Sequence, residues 1–258
     1  MNKNFINYAH RGASHYCPEN TFLSFYTGVY MGANGIETDV QCTKDNVLVL
    51  FHDDTLDRVT GERGSIADYT YEELQAFFVK KEGLQDKIVR FEDFLARFRH
   101  FDLTFAIELK VGGVEQAVAD MIFKYGLENK CIITSFQLDY LKVMRECAPT
   151  LRIGYLTSSI EESVVQELLD MGAYEICPKG DTVTKERVTA WHKQGLNVRA
   201  WGIANADIMK LVYDAGADGM TVNFPDWLVN YIKKKIKEKE NSAIHLRSFP
   251  FLVRRLLN

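Results

Sequence analysis

Cysteine pairs, long apolar runs and an excess of positive charge are all missing from this chain of 258 residues. Its five cysteines (17, 42, 131, 147 and 177) are odd in number and show no C-x-x-C spacing, which argues against a disulfide framework. They read as buried, reduced thiols, and so point to a cytoplasmic protein. No stretch approaches the roughly 20 apolar residues that span a bilayer. The opening MNKNFINYAH holds no apolar run of the secretory kind, so no signal segment is expected. Net charge is −4, and nothing in that balance suggests a nucleic-acid partner. Apolar residues at 47% and charged residues at 26% suit a soluble chain with a full core.

What the chain does have is a set of polar residues at the ends of strand-like segments. These segments are NYAHRGA (7–13), GIETDV (35–40), VLVLFHD (47–53) and FAIELK (105–110). Side chains two apart on a strand share a face, so Glu37 projects with Asp39, and Glu108 with Lys110. A single cleft would then hold Glu37, Asp39 and Glu108 as an all-oxygen metal site. Two acid/base histidines, His10 and His52, and two cations, Arg11 and Lys110, would stand beside it. Oxygen ligands alone favour Mg²⁺ or Ca²⁺ over zinc. Three carboxylates and one divalent cation leave a single negative charge. Arg11 and Lys110 reverse it, and a phosphodiester anion restores neutrality. A lone E-x-D or a strand-end histidine is usually a solvated or structural feature; this full set, in this order, is the equipment for cleaving a phosphodiester.

The second half alternates strand candidates (131–135, 152–156, 174–178, 197–201, 218–222) with helical patterns near 137–148, 161–171, 184–195 and 205–216. Gly172 and Gly216 punctuate helix C-termini. With strands at 5–10, 35–40 and 103–109 this makes eight βα units, the pattern of a closed TIM-type (β/α)8 barrel, for which about 250 residues is typical. Segment 47–53 would be a ninth strand. Thr43-Lys44-Asp45-Asn46 has turn composition, and a link that short permits only an antiparallel hairpin. It would rise from the mouth and return His52 to the site. A small insertion after strand 2, about 54–100, is expected to carry helices near 70–82 and 91–100. The catalytic domain is read as 1–231 and a basic tail as 232–258.

H-R-G at 10–12, P-E-N-T at 18–21, I-E-T-D-V at 36–40, F-H-D at 51–53, L-x-R-x-T-G at 56–61 and I-E-L-K at 107–110 resemble the glycerophosphodiester phosphodiesterases. So do S-F at 24–25, I-T-S-F at 133–136, R-A-W at 199–201 and D-G-M-T-V-N-F-P at 218–225. The resemblance runs over about residues 5–230. It implies a TIM-type barrel, a divalent metal and hydrolysis of a small glycerophosphodiester to glycerol 3-phosphate and an alcohol. It further implies His10 as acid and His52 as base, Glu19 hydrogen-bonding the site from the first loop, and Trp201 near bound substrate. Read from the residues, Glu19 could equally be an acidic residue ahead of a helix capped by Asn20. Gly12 would let the backbone approach the phosphate. Asp53 and Asp54 read as turn residues or as supports for the site. Phe136, Lys179, Trp201 and Asn223 end later strands and could line the alcohol side.

The tail departs from the family pattern, carrying +6 against −10 for the body. It reads either as a solvated last helix with a disordered end, or as a peripheral membrane contact or subunit-docking segment through Phe249–Leu257. That leaves a lysophospholipase D or a phospholipase C-like enzyme acting on membrane lipids as the alternative function.

Overall fold

In the computed structural model, which describes residues 5–158, 160–238 and 241, eight strands pair in parallel, each with the next along the chain. They are β1 (Ile6–His10), β2 (Gly35–Cys42), β3 (Thr104–Leu109), β4 (Cys131–Ser135), β5 (Arg152–Thr157), β6 (Glu175–Pro178), β7 (Asn197–Ala200) and β8 (Gly219–Val222). β1 also pairs with β8, Ile6 opposite Gly219 and Ala9 opposite Val222, and the sheet closes. The expected (β/α)8 barrel of TIM type is the observed one. Closure leaves these strands no free edge, and the helices between them cover the outer face.

The helix ends follow local chemistry. Asn205 caps Ala206–Ala215, accepting from the amides of Asp207 and Ile208, and Gly216 ends it at φ 91°. Gly172 follows Glu162–Asp170 at φ 62°. The first helix, Phe22–Tyr30, is capped by Thr21, which accepts from the Ser24 amide, and not by Asn20. Asn20 sits in the left-handed region at φ 56° and turns its amide inward. Thr21 is free to cap because Asn20 is taken by the site.

The hairpin after β2 forms as expected. Leu48–Leu50 runs antiparallel to β2, with Val40 opposite Leu50, and the Phe51 amide donates to the Asp39 carbonyl at 3.0 Å. The insertion differs from expectation in one place. The helix expected over 70–82 is a single turn, Tyr71–Leu74, started by a Thr70–Glu73 capping box. Val79–Lys81 then pairs antiparallel with Leu84–Asp86. Glu82 and Gly83, both at positive φ, make a turn whose twist suits a two-residue hairpin. Aromatic and β-branched Phe77-Phe78-Val79 favour that extended course over the helical periodicity. The helix expected near 91–100 is Phe91–Phe98; Phe91, Phe94, Leu95 and Phe98 share its buried face. Phe94 packs edge-on to Phe25 and Phe105, with ring centres 4.9 and 5.5 Å away, and so joins the insertion to the barrel.

Inside the barrel lies a polar cluster that the sequence pattern did not reveal. Arg199, 1% exposed, donates through Nε to Glu175 Oε1 at 2.8 Å and through Nη1 to Thr221 Oγ1 at 2.8 Å. A methyl group at Gly154 would lie 2.5 Å from Glu175 Cγ, so glycine makes room for that carboxylate. Residues 225–238 are helical and run without a break across the expected tail boundary at 232. Tyr231 and Lys235 both bond Asp214 there. The apolar segment Phe249–Leu257 lies outside the described residues. Among the described residues no helix is long and apolar enough to cross a membrane.

Candidate active site

Strand register assembles the carboxylates. Pairing of β1 with β2 sets His10 opposite Glu37, and pairing of β2 with β3 sets Asp39 opposite Glu108. Each of Glu37, Asp39 and Glu108 is buried, and each offers an oxygen within 4.8 Å of those of the other two. Asp39 Oδ2 accepts from Asn20 Nδ2 at 2.8 Å, while Asp39 Oδ1 is buried with no hydrogen-bond partner. The crowding shows in their acidities. Burial, then the charges of Asp39 and Glu108, raise Glu37 well above the usual carboxylate range. Burial and Asp39 push Glu108 up to about 7, against the pull of Lys110. For Asp39, Arg11, His52 and Lys110 outweigh burial and hold the carboxyl below its ordinary value. An all-oxygen cradle in which burial and mutual repulsion raise two of the three carboxyls, with one orphaned oxygen, fits a hard divalent cation.

Arg11 and Lys110 take the two flanks. Arg11 Nη1 donates to Glu19 at 2.9 Å, and Nε lies 3.1 Å from Asp39 Oδ2, close but not aligned as a hydrogen bond. Lys110 Nζ donates to Glu108 Oε1 at 2.8 Å. Arg11 stands at φ 53°, and the Asn20 amide and Ser24 hydroxyl donate to its carbonyl. Non-glycine residues in this region cost about 1–3 kcal/mol and persist where the surroundings over-determine them. The close approach served by Gly12 is to helix Phe22–Tyr30: a Cβ there would meet Ser24 at 2.4 Å. Its absence of side chain therefore seats the loop on that helix, a role the phosphate reading did not foresee.

His10 Nδ1 lies 2.5 Å from Asn223 Oδ1, and His52 Nδ1 lies 2.5 Å from Asp53 Oδ1. Burial, then Arg11, push His10 down to about 4, so the ring is neutral at neutral pH. His10, Arg11, Glu37, His52 and Glu108 line one side of a cavity of about 200 Å³; Phe136, Leu156 and Trp201 line the other. Trp201 is pinned by its indole N–H, which donates to the Thr157 carbonyl at 3.2 Å, and Phe136 meets it at right angles with ring centres 4.8 Å apart. Of the late-strand residues expected on the alcohol side, Asn223 instead supports His10. Lys179 is not in the cavity wall and pairs with Asp181 at 2.8 Å.

Residues 10–227 match the family model described as the glycerophosphoryl diester phosphodiesterase family. The chain belongs to that family. It is 33% identical over 237 residues to a glycerophosphodiester phosphodiesterase of Caldanaerobacter subterraneus, covering 88% of this chain and 97% of that one. A Bacillus altitudinis glycerophosphodiester phosphodiesterase is 30% identical over 242 residues, 89% and 98% of the two chains. The fold is shared with a solved Oleispira antarctica phosphodiesterase in complex with the product sn-glycerol-3-phosphate. There the TM-score is 0.79 and identity 23%, over 88% of this chain and 96% of that one. As a member of the family, this chain brings seven of the eight expected site residues round one cluster, with Trp201 on the facing wall. Arg58, Arg199 and the amide of Asn20 were missed as contributors. Each lay inside a motif that carries the resemblance, Arg58 in L-x-R-x-T-G, Arg199 in R-A-W and Asn20 in P-E-N-T, but none of the motifs told which side chain reaches the site.

Proposed function

We propose that the chain hydrolyses glycerophosphodiesters to glycerol 3-phosphate and an alcohol, with one Mg²⁺ or Ca²⁺ held by Glu37, Asp39 and Glu108. The observation that carries this reading is the buried triad of carboxylates flanked by two cations and two histidines around one cavity. A bound cation would neutralise charge that grows on the phosphoryl oxygens during the displacement. Arg11 and Lys110 bind the phosphodiester anion and keep it against the triad. His10 and His52 each have Nδ1 committed to a partner and so work through Nε2. One takes a proton from the attacking oxygen, and the other gives one to the departing alkoxide, each worth about 10²–10⁴-fold. The pinned face of Trp201, with Phe136, supplies an apolar wall for the carbons of the alcohol.

The test is product analysis on a panel of glycerophosphodiesters and lysophospholipids, with Mg²⁺ and Ca²⁺ supplied in turn. Glycerol 3-phosphate should appear from the soluble diesters. Turnover of lysophospholipids alone would replace this reading with a membrane-lipid one, and no turnover with either metal would remove it.

A further inference from the structure

Arg58 stands outside the triad, in the first turn of the insertion, yet it touches both halves of the site. Its Nη1 and Nη2 fork onto Glu19 at 2.9 and 2.7 Å, and its Nε donates to Asp53 Oδ2 at 2.5 Å. Glu19 in turn accepts from Arg11 Nη1, and Asp53 holds His52 Nδ1. The result is an unbroken line of side-chain hydrogen bonds, Arg11–Glu19–Arg58–Asp53–His52. One guanidinium closes the gap between the first barrel loop and the hairpin that carries His52. Burial works against ionising Asp53, but Arg58 and His52 outweigh it and hold the carboxyl at about 2.

The local sequence holds Arg58 in that place. Asp57–Thr60 is one helical turn, with Leu56 and Thr60 fully buried four residues apart. Leu56 packs with Val49, Phe51 and Ile66 under the hairpin, and Lys80 bonds the Thr60 carbonyl at 3.0 Å. Gly61 at φ 80° ends the turn. A residue midway between two buried ones on a helix points the opposite way, which aims Arg58 across the rim. Its side chain is 46% exposed, and exposed ion pairs add little to stability. The geometry is therefore better explained by what it orients than by what it stabilises.

We propose that Arg58 is a positioning residue: by gripping Glu19 and Asp53 together it fixes Arg11 and His52 relative to one another across the cleft. The proposal rests on the reading of His52 and Arg11 as working groups. The planar fork is essential to it, because a lysine ammonium is a point charge that cannot grip both carboxylates in the same way.

The experiment is steady-state kinetics of the metal-loaded full chain for wild type, R58K, R58M, D53N, the R58M/D53N pair and H52A, with thermal unfolding alongside. R58M should lower kcat/KM about 10–100-fold, the usual effect of losing a group that orients a working residue. D53N should lower kcat alone, and R58M should lower kcat and raise KM, since it releases both arms. R58K should stay near R58M despite its unchanged charge, and the pair should fall no further than the worse single variant. Full activity in R58K, or additive losses in the pair, would overturn the proposal; R58K also serves if R58M does not fold. An inactive H52A beside a fully active R58M removes the proposal and leaves the reading of the site standing. A fully active H52A removes both.

Discussion

Asn223 Oδ1, just beyond the last barrel strand, lies 2.5 Å from His10 Nδ1 at the end of the first. The same oxygen accepts from the Ser14 hydroxyl at 3.0 Å, so it faces two donors and His10 carries its proton on Nδ1. The tautomer is inferred from the amide orientation, and it leaves the Nε2 lone pair 3.7 Å from Glu37 Oε2, towards the cluster.

Asn223→Leu should therefore lower kcat about 10–100-fold with little change in KM, because the ring loses its anchor while Arg11 and Lys110 still bind the anion. Steady-state kinetics with a soluble glycerophosphodiester measures it. A fall in affinity without a fall in kcat would return Asn223 to the alcohol side, where its strand-end position first suggested it.

Metal binding should be coupled to proton release. Burial and the neighbouring carboxylates raise Glu37 well above the carboxylate range and push Glu108 up to about 7, so both favour their protonated forms in the metal-free chain. A cation must displace those protons, and apparent affinity for Mg²⁺ should rise as pH climbs from 6 to 8, by up to about tenfold per unit for each proton displaced. For the free chain the sign is opposite. A carboxyl whose folded pKa is raised contributes stability below its unfolded value near 4.5, and that contribution is lost as pH rises through about 7. Titration calorimetry in two buffers of different ionisation enthalpy should show release. Mg²⁺ binding without it, or binding unaltered in D39N/E108Q, would remove the metal site.

How much of this could be read beforehand divides by the range of the interactions. Eight strand positions were legible to within two residues, because a barrel strand buried on both faces is a short apolar run between turn signals. The triad was legible because i and i+2 on one strand need no tertiary knowledge. Register supplied the rest, placing Asp39 beside Glu108 across 69 residues of chain. The helix expected over 70–82 failed where Glu82-Gly83 turned a chain whose periodicity read as helical. Arg58, inside the L-x-R-x-T-G motif, and Asn223, at a strand end, were visible as residues, but what they bind was not, for another reason. Their partners lie 39 and 213 residues away, and neither side chain announces a direction.

The ion pair inside the barrel should behave as a buried one. Arg199 and Glu175 are 1% and 3% exposed, and Cys177 Sγ takes Arg199 Nη2 at 3.3 Å. Arg199→Met leaves Glu175 buried without its partner and should cost about 3–5 kcal/mol. Removing both charges in an R199M/E175Q pair should cost clearly less than R199M alone. Urea unfolding of the metal-loaded chain measures both. Equal costs would mean that the lone Glu175 carboxyl, which still accepts from Cys177 Sγ, carries no penalty for losing Arg199.

The two histidines should separate by leaving group. Resemblance to the family makes His10 the acid, whereas its neutral ring and low pKa in this fold suit it to accept a proton first. An activated leaving group such as nitrophenol needs little protonation, so the variant lacking the acid should recover most of its rate on a nitrophenyl diester. The variant lacking the base should stay slow on both substrates, down about 10²-fold or more. Recovery in H10A would mean that bound phosphodiester reverses the resting charge state of His10, drawing the ring into its protonated form. Recovery in H52A would assign the acid to the ring held by Asp53 and the base to the one held by Asn223. Equal sensitivity of H10A and H52A to leaving-group pKa would refute a division of labour between them.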